Sequence, residues 1–324
     1  MKKFLAFVFA IGFFFAGLGA FAQEQADEAP KADRYDQIFD RKEDAGKLVA
    51  RFLKLHLPVD AETDEKSGDS SIVTTPDGKV ALIDAGSPDC APQVEAALEA
   101  MGVAKIDAVV ASHPHIDHIG GLARILAKYP VDKLYMSKVV YSDSSIYRGL
   151  MNKAASRGIQ IVYLEEGSEF TIGEFINVKV YNPEPDIKYY DGYPANGTQF
   201  INNKSLVMKF FFGRSTMLFM GDVYTPRELD LIEKFGSGLQ ADVIKVGHHG
   251  SDTSSSKSFI KTVAPKFAVM MHDSFASLQV YKNYRKAGAL TYVSAIDGCV
   301  KLSGDDAGHW TALTQFDRLS DFLK

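Results

Sequence analysis

Residues 109–122 read VVASHPHIDHIGGL, and this stretch limits the fold more than any other. An apolar run stops, three histidines and an aspartate fall within six positions, and two glycines follow. The whole chain has only eight histidines in 324 residues, so this concentration needs a reason. IDAVVAS (106–112) reads as a short buried strand and LARILAKY (122–129) as a helix. The strand would deliver its carboxyl end to the loop 112–118, where α/β proteins place their sites. Imidazole is the commonest side-chain ligand for zinc and related metals, and carboxylates complete such sets. His113 and His115, two apart on an extended loop, can grip one ion. Asp117 and His118, on the following turn, can face a second position. Gly120 and Gly121 let the helix start close by without a Cβ clash. A satisfied or solvated cluster would explain a lone histidine, but it explains this spacing poorly.

Four side chains cannot complete two metal sites, and further donors stand at other strand ends. MLFMGDVY (217–224) puts Asp222 after an apolar strand, where a carboxylate can bridge two ions. DVIKVGHHGSD (242–252) puts His248 and His249 between Gly247 and Gly250 at another strand exit. FAVMMHDS (267–274) leaves His272 at a fourth. A Gly-Asp turn or a surface histidine is unremarkable alone; each gains weight from the first cluster.

The rest of the chain has the grammar of a layered α/β protein. SSIVTTPDGKVALIDAG (70–86) reads as a hairpin about Pro76-Asp77-Gly78, and APQVEAALEAMG (91–102) as an amphipathic helix stopped by glycine. Strands are expected at 131–137, 160–164, 168–172 and 176–181, on either side of a tight turn at Gly213-Arg214 within 205–222, and at 242–246, 267–271, 290–294 and 298–302. Helices are expected at 144–157, 226–235, 254–263 and 277–287. Residues 182–203, with Pro183, Pro185, Gly192, Pro194 and Gly197, read as a looser segment. Its Tyr189, Tyr190 and Tyr193 could wall a cleft or simply be solvated.

Residues 1–22 have the form of a secretory signal peptide: Lys2 and Lys3, an apolar stretch over 4–15, and small residues ending at Ala22. The competing reading is a membrane anchor; the small-residue exit and the acidic QEQADEAP favour cleavage. No later run approaches the ~18 apolar residues of a spanning helix. A periplasmic or secreted bacterial protein without stable membrane insertion is therefore expected. Residues 23–48 are charged and read as a linker, with a frayed helix near 35–44. A domain over 49–303 follows, then a polar tail over 304–324 holding the sole tryptophan, Trp310. A net charge of −5 gives no long-range pull on nucleic acid. Cys90 and Cys299 could form one disulfide or stay isolated thiols.

Taken together, these residues resemble the metallo-β-lactamase-fold hydrolases, whose signature is His-x-His-x-Asp-His followed by Gly-Gly. LIDAG (82–86) and ASHPHIDHIGGL (111–122) carry the likeness to the superfamily. NNKSLVMKF (202–210), LFMGD (218–222) and DVIKVGHHGSDTSSS (242–256) narrow it to the hydrolase domain of ComEC-type competence proteins, a branch that also resembles phosphorylcholine esterases. The resemblance covers about 50–303. It implies a four-layer αββα sandwich of two pseudo-symmetric halves with a dinuclear metal site along one edge. It implies that His113 and His115 hold one ion, Asp117 and His118 the other, and that Asp222 bridges them. One or both of His248 and His249 would then complete the first site. Two features depart from the family. Its VGQGD is reduced to KSGDSS (66–71), leaving Asp69 as the acidic match. Ser277 stands where the family has a last histidine, which makes His272 the candidate replacement.

The expected function is hydrolysis, assisted by two divalent ions (zinc, with manganese or iron as alternatives), of a phosphodiester: nucleic acid, nucleotide or phosphocholine-type ester. Asp117 is the candidate proton acceptor, and Lys204, Lys245 and Ser251 are candidates to touch a phosphate. The rival expectation is a degenerate binding module without turnover. No protein partner is inferable.

Overall fold

The strands that end at the histidine and aspartate motifs are short and mainly apolar on both faces, the pattern of strands covered by helices on one side and a second sheet on the other. The computed structural model describes residues 32–59, 61, 66–187 and 197–318. The signal-peptide pattern of 1–22 and the tyrosines of 189–193 lie outside them.

The chain opens with α1 (Tyr35–Phe39), β1 (Leu48–Phe52), β2 (Ser71–Thr74), β3 (Val80–Ile83), α2 (Ala91–Ala100) and β4 (Ala108–Ala111). It continues through α3 (Ile116–Ile119), α4 (Leu122–Lys128), β5 (Lys133–Ser137), α5 (Ser145–Ser156) and β6 (Gln160–Leu164). The second half begins with β7 (Glu169–Ile172), β8 (Ile176–Asn182), α6 (Thr198–Asn203), β9 (Val207–Phe212), β10 (Ser215–Phe219) and α7 (Thr225–Phe235). Next come β11 (Val243–Lys245), α8 (Lys257–Val263), β12 (Phe267–Met270), α9 (Leu278–Lys286) and β13 (Leu290–Val293). The chain closes with α10 (Ser294–Asp297), β14 (Val300–Gly304) and β15 (Trp310–Thr314).

Two sheets result, ordered β15-β14-β1-β2-β3-β4-β5-β6 and β13-β12-β11-β10-β9-β8-β7. Within each, a parallel run of four (β3 to β6, and β10 to β13) sends its carboxyl ends to one edge. Alternation along the strands sorts the side chains into layers. Val110, Phe210, Met217 and Phe219 meet between the sheets. Val109 faces the other way, onto Val94, Leu98, Leu122 and Leu150 of α2, α4 and α5. Leu218 and Ile244 likewise face Leu231, Phe259 and Tyr281 of α7, α8 and α9. This is the αββα sandwich.

The expected boundaries shift outward at both ends. In the stretch expected as a linker up to 48, Ile38 and Phe39 of α1 are buried. Fully buried Arg51 donates to the carbonyls of Ile38 (2.6 Å) and Asp40 (3.0 Å) and pairs with Asp44 at 2.8 Å. A buried guanidinium must find partners, and these backbone acceptors are invisible in sequence. Past 303, the expected tail contributes β15, paired with β14 from Val300↔Thr314 to Gly304↔Trp310. The segment 182–203 contains α6. Cys90 and Cys299 are both buried free thiols, and the Cys299 thiol accepts from the Lys54 amide (3.2 Å). Among the described residues no helix is long and apolar enough to cross a membrane.

Candidate metal centre

β4 ends at Ala111, and the chain leaves it through Ser112 and His113. His115 is the extended residue that starts α3 (φ −74°, ψ 151°), so Asp117 and His118 fall in that helix's single turn. The Gly120-Gly121 pair serves close packing of a different kind from that expected. A Cβ on Gly121 would stand 2.4 Å from the Ala85 carbonyl oxygen, so the glycine seats the turn on the LIDAG loop and not on the metal position.

His113 and His115 meet with Nε2 and Nδ1 3.0 Å apart. His118 turns to the seam between the sheets, its Nε2 3.1 Å from Asp222 Oδ2. Its Nδ1 donates to Asp84 Oδ2 at 2.8 Å, and Asp84 is fixed by the amide and hydroxyl of Ser112 (2.8 and 2.7 Å). Asp222 follows β10 through Gly221, and its amide donates to Ser205 Oγ (3.0 Å). After β11, His248 and His249 both take left-handed backbone angles (φ 46° and 57°). Two such residues in succession cost of order 1–3 kcal/mol each and occur where surrounding structure compels them. The turn sends the two rings apart. His249 points inward, with Nε2 3.1 Å from Asp222 Oδ2 and 3.2 Å from Asp117 Oδ2, and donates from Nδ1 to Asp69 Oδ1 (2.9 Å). His248 stays at the rim, tilted against Tyr224 with ring centroids 4.8 Å apart and bonded through Nδ1 to Thr253.

The electrostatics divide the histidines into two kinds. Burial, aided by the neighbouring His118 charge, holds His113 well below its ordinary range, and burial lowers His115 too. Burial also opposes the charge on His118, but Asp222, Asp84 and Asp117 outweigh it and raise the group to about 10. Asp222 and Asp69 overcome burial in the same way and push His249 well up. Burial works against ionising Asp69, yet His249 and Lys245 bring it down to about 2; His118 and His249 likewise depress Asp222.

The donor set fits divalent ions. Ligands about 2.0–2.2 Å from one ion stand roughly 3–3.6 Å from each other. The contacts among His113, His115, His118, Asp117, Asp222 and His249 run from 3.0 to 3.9 Å. Asp69, His118, Asp222 and His249 offer donor atoms all within 4.8 Å of one another. His113 and His115 would hold one ion, and Asp117, His118 and His249 a second. Asp222 stands between them, its Oδ2 3.9 Å from His113 Nε2. Of the two histidines expected, one or both, to complete the His113–His115 site, His249 lies beside Asp117 and His118, its ring between Asp69 and Asp222, while His248 lines the cleft with His115.

The other expected residues are placed as follows. His272 has its ring centroid 5.6 Å from that of His249, but its Nδ1 accepts from the Ser274 amide (2.9 Å). Ser277, at the family's histidine position, caps α9 and bonds Asp252. Lys204 is drawn to Glu184 and Ser251 to Thr253, so neither expected phosphate contact lines the cleft. Lys245 is turned inward beneath the site. The open face of the centre is a cleft of about 510 Å³ lined by Lys66, His115, Asp117, Tyr141, Ser144 and Asn202, with Asp222 and His248. Asp84, Ser112 and Asn202 were not anticipated as site residues, although LIDAG and NNKSL were the motifs that contained two of them.

Residues 63–186 match the family model of the metallo-beta-lactamase superfamily. The chain is 30% identical over 174 residues to ComE operon protein 3 of Bacillus subtilis, covering 53% of this chain and 21% of that protein. It is 31% identical over 172 residues to competence protein ComA of Neisseria gonorrhoeae, with the same 53% and 21% coverage. The match thus spans about a fifth of the length of these relatives. Among solved structures, a mutant of CmlA beta-hydroxylase has a TM-score of 0.50 at 13% identity, over 79% of this chain and 53% of that one, a likeness of fold alone. Fold and site agree with that match: residues 63–186 are similar to the metallo-beta-lactamase superfamily, whose members are generally metal-dependent hydrolases. Over about half of its length the chain is similar to these ComEC-like competence proteins.

Proposed function

We propose that this protein is an exported hydrolase that cleaves a phosphodiester, using two divalent ions of the zinc or manganese kind. The observation that carries the reading is the convergence of His113, His115, Asp117, His118, Asp222 and His249 from three strand exits beside one open cleft. When bound, such ions supply Lewis acidity and make a water acidic enough to attack near neutral pH. Asp117 lines the cleft as an ionised carboxylate and is the group placed to accept the proton of that water. His248 offers its second ring nitrogen at the rim, held by Tyr224 and Thr253. Lys66, with the N-cap Ser144 and the first residue Ser145 of α5, lines the opposite wall, a favourable setting for an anionic group. A small phosphodiester suits the acidic chain better than a long polyanion. Export rests on the sequence of residues 1–22.

The test is hydrolysis of bis(p-nitrophenyl) phosphate and of a short single-stranded oligonucleotide by the zinc- or manganese-loaded chain. Asp117→Asn should lower kcat at least 100-fold while circular dichroism stays unchanged. Equal turnover by the variant would exclude this mechanism, and no turnover by either would favour a binding module.

A further inference from the structure

Lys245 is the last residue of β11, paired with Phe219 of β10 and Val269 of β12, and is 3% exposed. An apolar side chain would suit the middle of a parallel sheet. A buried ammonium adds little net stability even when paired, so stability alone is a weak reason for it. Among the described residues its Nζ meets Asp69 Oδ2, Asp222 Oδ1 (3.6 Å) and the Gly221 carbonyl, to which it donates at 3.1 Å. Both carboxylates divide their oxygens. Asp222 gives Oδ2 to His118 and His249, while its Oδ1 makes no hydrogen bond and faces Lys245. Asp69 gives Oδ1 to His249 Nδ1 and Oδ2 to the same ammonium.

We propose that Lys245 is a positioning residue for the metal centre: one ammonium grips the outer oxygens of Asp222 and Asp69, leaving Asp222 Oδ2 alone for the ions and Asp69 in line behind His249. Without that contact no hydrogen bond among the described residues would hold the outer oxygen of Asp222, and its carboxylate would be free to turn. The assignment rests on the metal-binding reading but not on the substrate.

Charge and positioning predict opposite signs, which makes the assignment testable. Removing a cation near two divalent ions should tighten metal binding if repulsion is all it contributes. Loss of a residue that orients ligands typically weakens metal affinity 10–100-fold. Zinc is titrated into the metal-free chain against a chelating indicator, for wild type, Lys245→Met and Lys245→Gln, with circular dichroism as the fold control. The expected result is a Kd raised 10–100-fold in the methionine variant and by less in the glutamine variant, which keeps an N–H donor. An equal or lower Kd in a folded variant overturns the assignment; should the methionine variant not fold, the glutamine variant decides by the same criterion. Failure of wild type to bind zinc or manganese overturns the metal reading and this assignment with it. Tight wild-type binding with undiminished variants overturns the role of Lys245 alone.

Discussion

His118 shows how single side chains build the centre: Asp84 holds one ring nitrogen and Asp222 faces the other, both within 3.1 Å. In the metal-free chain this sandwich keeps the imidazole protonated, with its group raised from 6.5 to about 10. A pKa raised on folding gives stability that is full below the unfolded value and lost as pH climbs through the folded one. Asp69, lowered to about 2, contributes stability above the ordinary carboxylate range that is lost as pH falls through about 2. The metal-free protein should therefore lose thermal stability between about pH 6.5 and 10. Zinc exchanges with the proton on His118, so the loaded protein should show a much flatter alkaline limb. Melting midpoints at pH 6, 8 and 10 with and without zinc check this; parallel curves would contradict it. The histidines and Asp117 were legible because their spacing is local. Asp84 was not, because nothing in LIDAG announces that it will face a ring 34 residues later.

Among the elements, strands and most helices followed from alternation and glycine stops, since burial on a sheet face repeats every two residues. The rest was hidden for identifiable reasons. β15 is an edge strand with exposed positions and no apolar alternation. α1 is held by Arg51 through backbone carbonyls, and α6 lies in a stretch whose prolines and glycines suggested only a loop. The loop 66–71 depends on one residue for its approach to α3. Gly68 has φ +80°, and a Cβ there would stand 1.6 Å from the Asp117 carbonyl oxygen, the acceptor for the Asp69 amide at 3.1 Å. Gly68→Ala must therefore shift either Asp69 away from His249 or Asp117 away from the cleft. It should cost at least about 2 kcal/mol of stability and also weaken zinc binding. Gly102→Ala is the control: φ is +63° but nothing lies within 4 Å, so only backbone strain of about 1 kcal/mol is expected. Urea unfolding of the two variants separates the effects, and equal losses would show that the contact with Asp117 is unimportant.

At the scale of the whole molecule, the centre lies on the seam between the two sheets. His113, His115, Asp117 and His118 leave the first sheet after β4, whereas Asp222 and His249 leave the second after β10 and β11. Bound ions would therefore connect ligands from both sheets, in addition to the apolar layer between them. Binding restricted to the folded state stabilises it by about 2.7 kcal/mol when free metal is 100 times Kd. For a domain of this size that corresponds to a rise of roughly 4–5 °C in Tm. Because the ligand set needs both sheets, the rise should apply to one cooperative transition of the whole domain. Calorimetry of the chelator-treated chain, then of the same chain with zinc, tests the point. A single peak that moves upward is the expected result. Two peaks, of which zinc moves only one, would mean that the ions are held by one sheet's loops and that Asp222 does not join the halves.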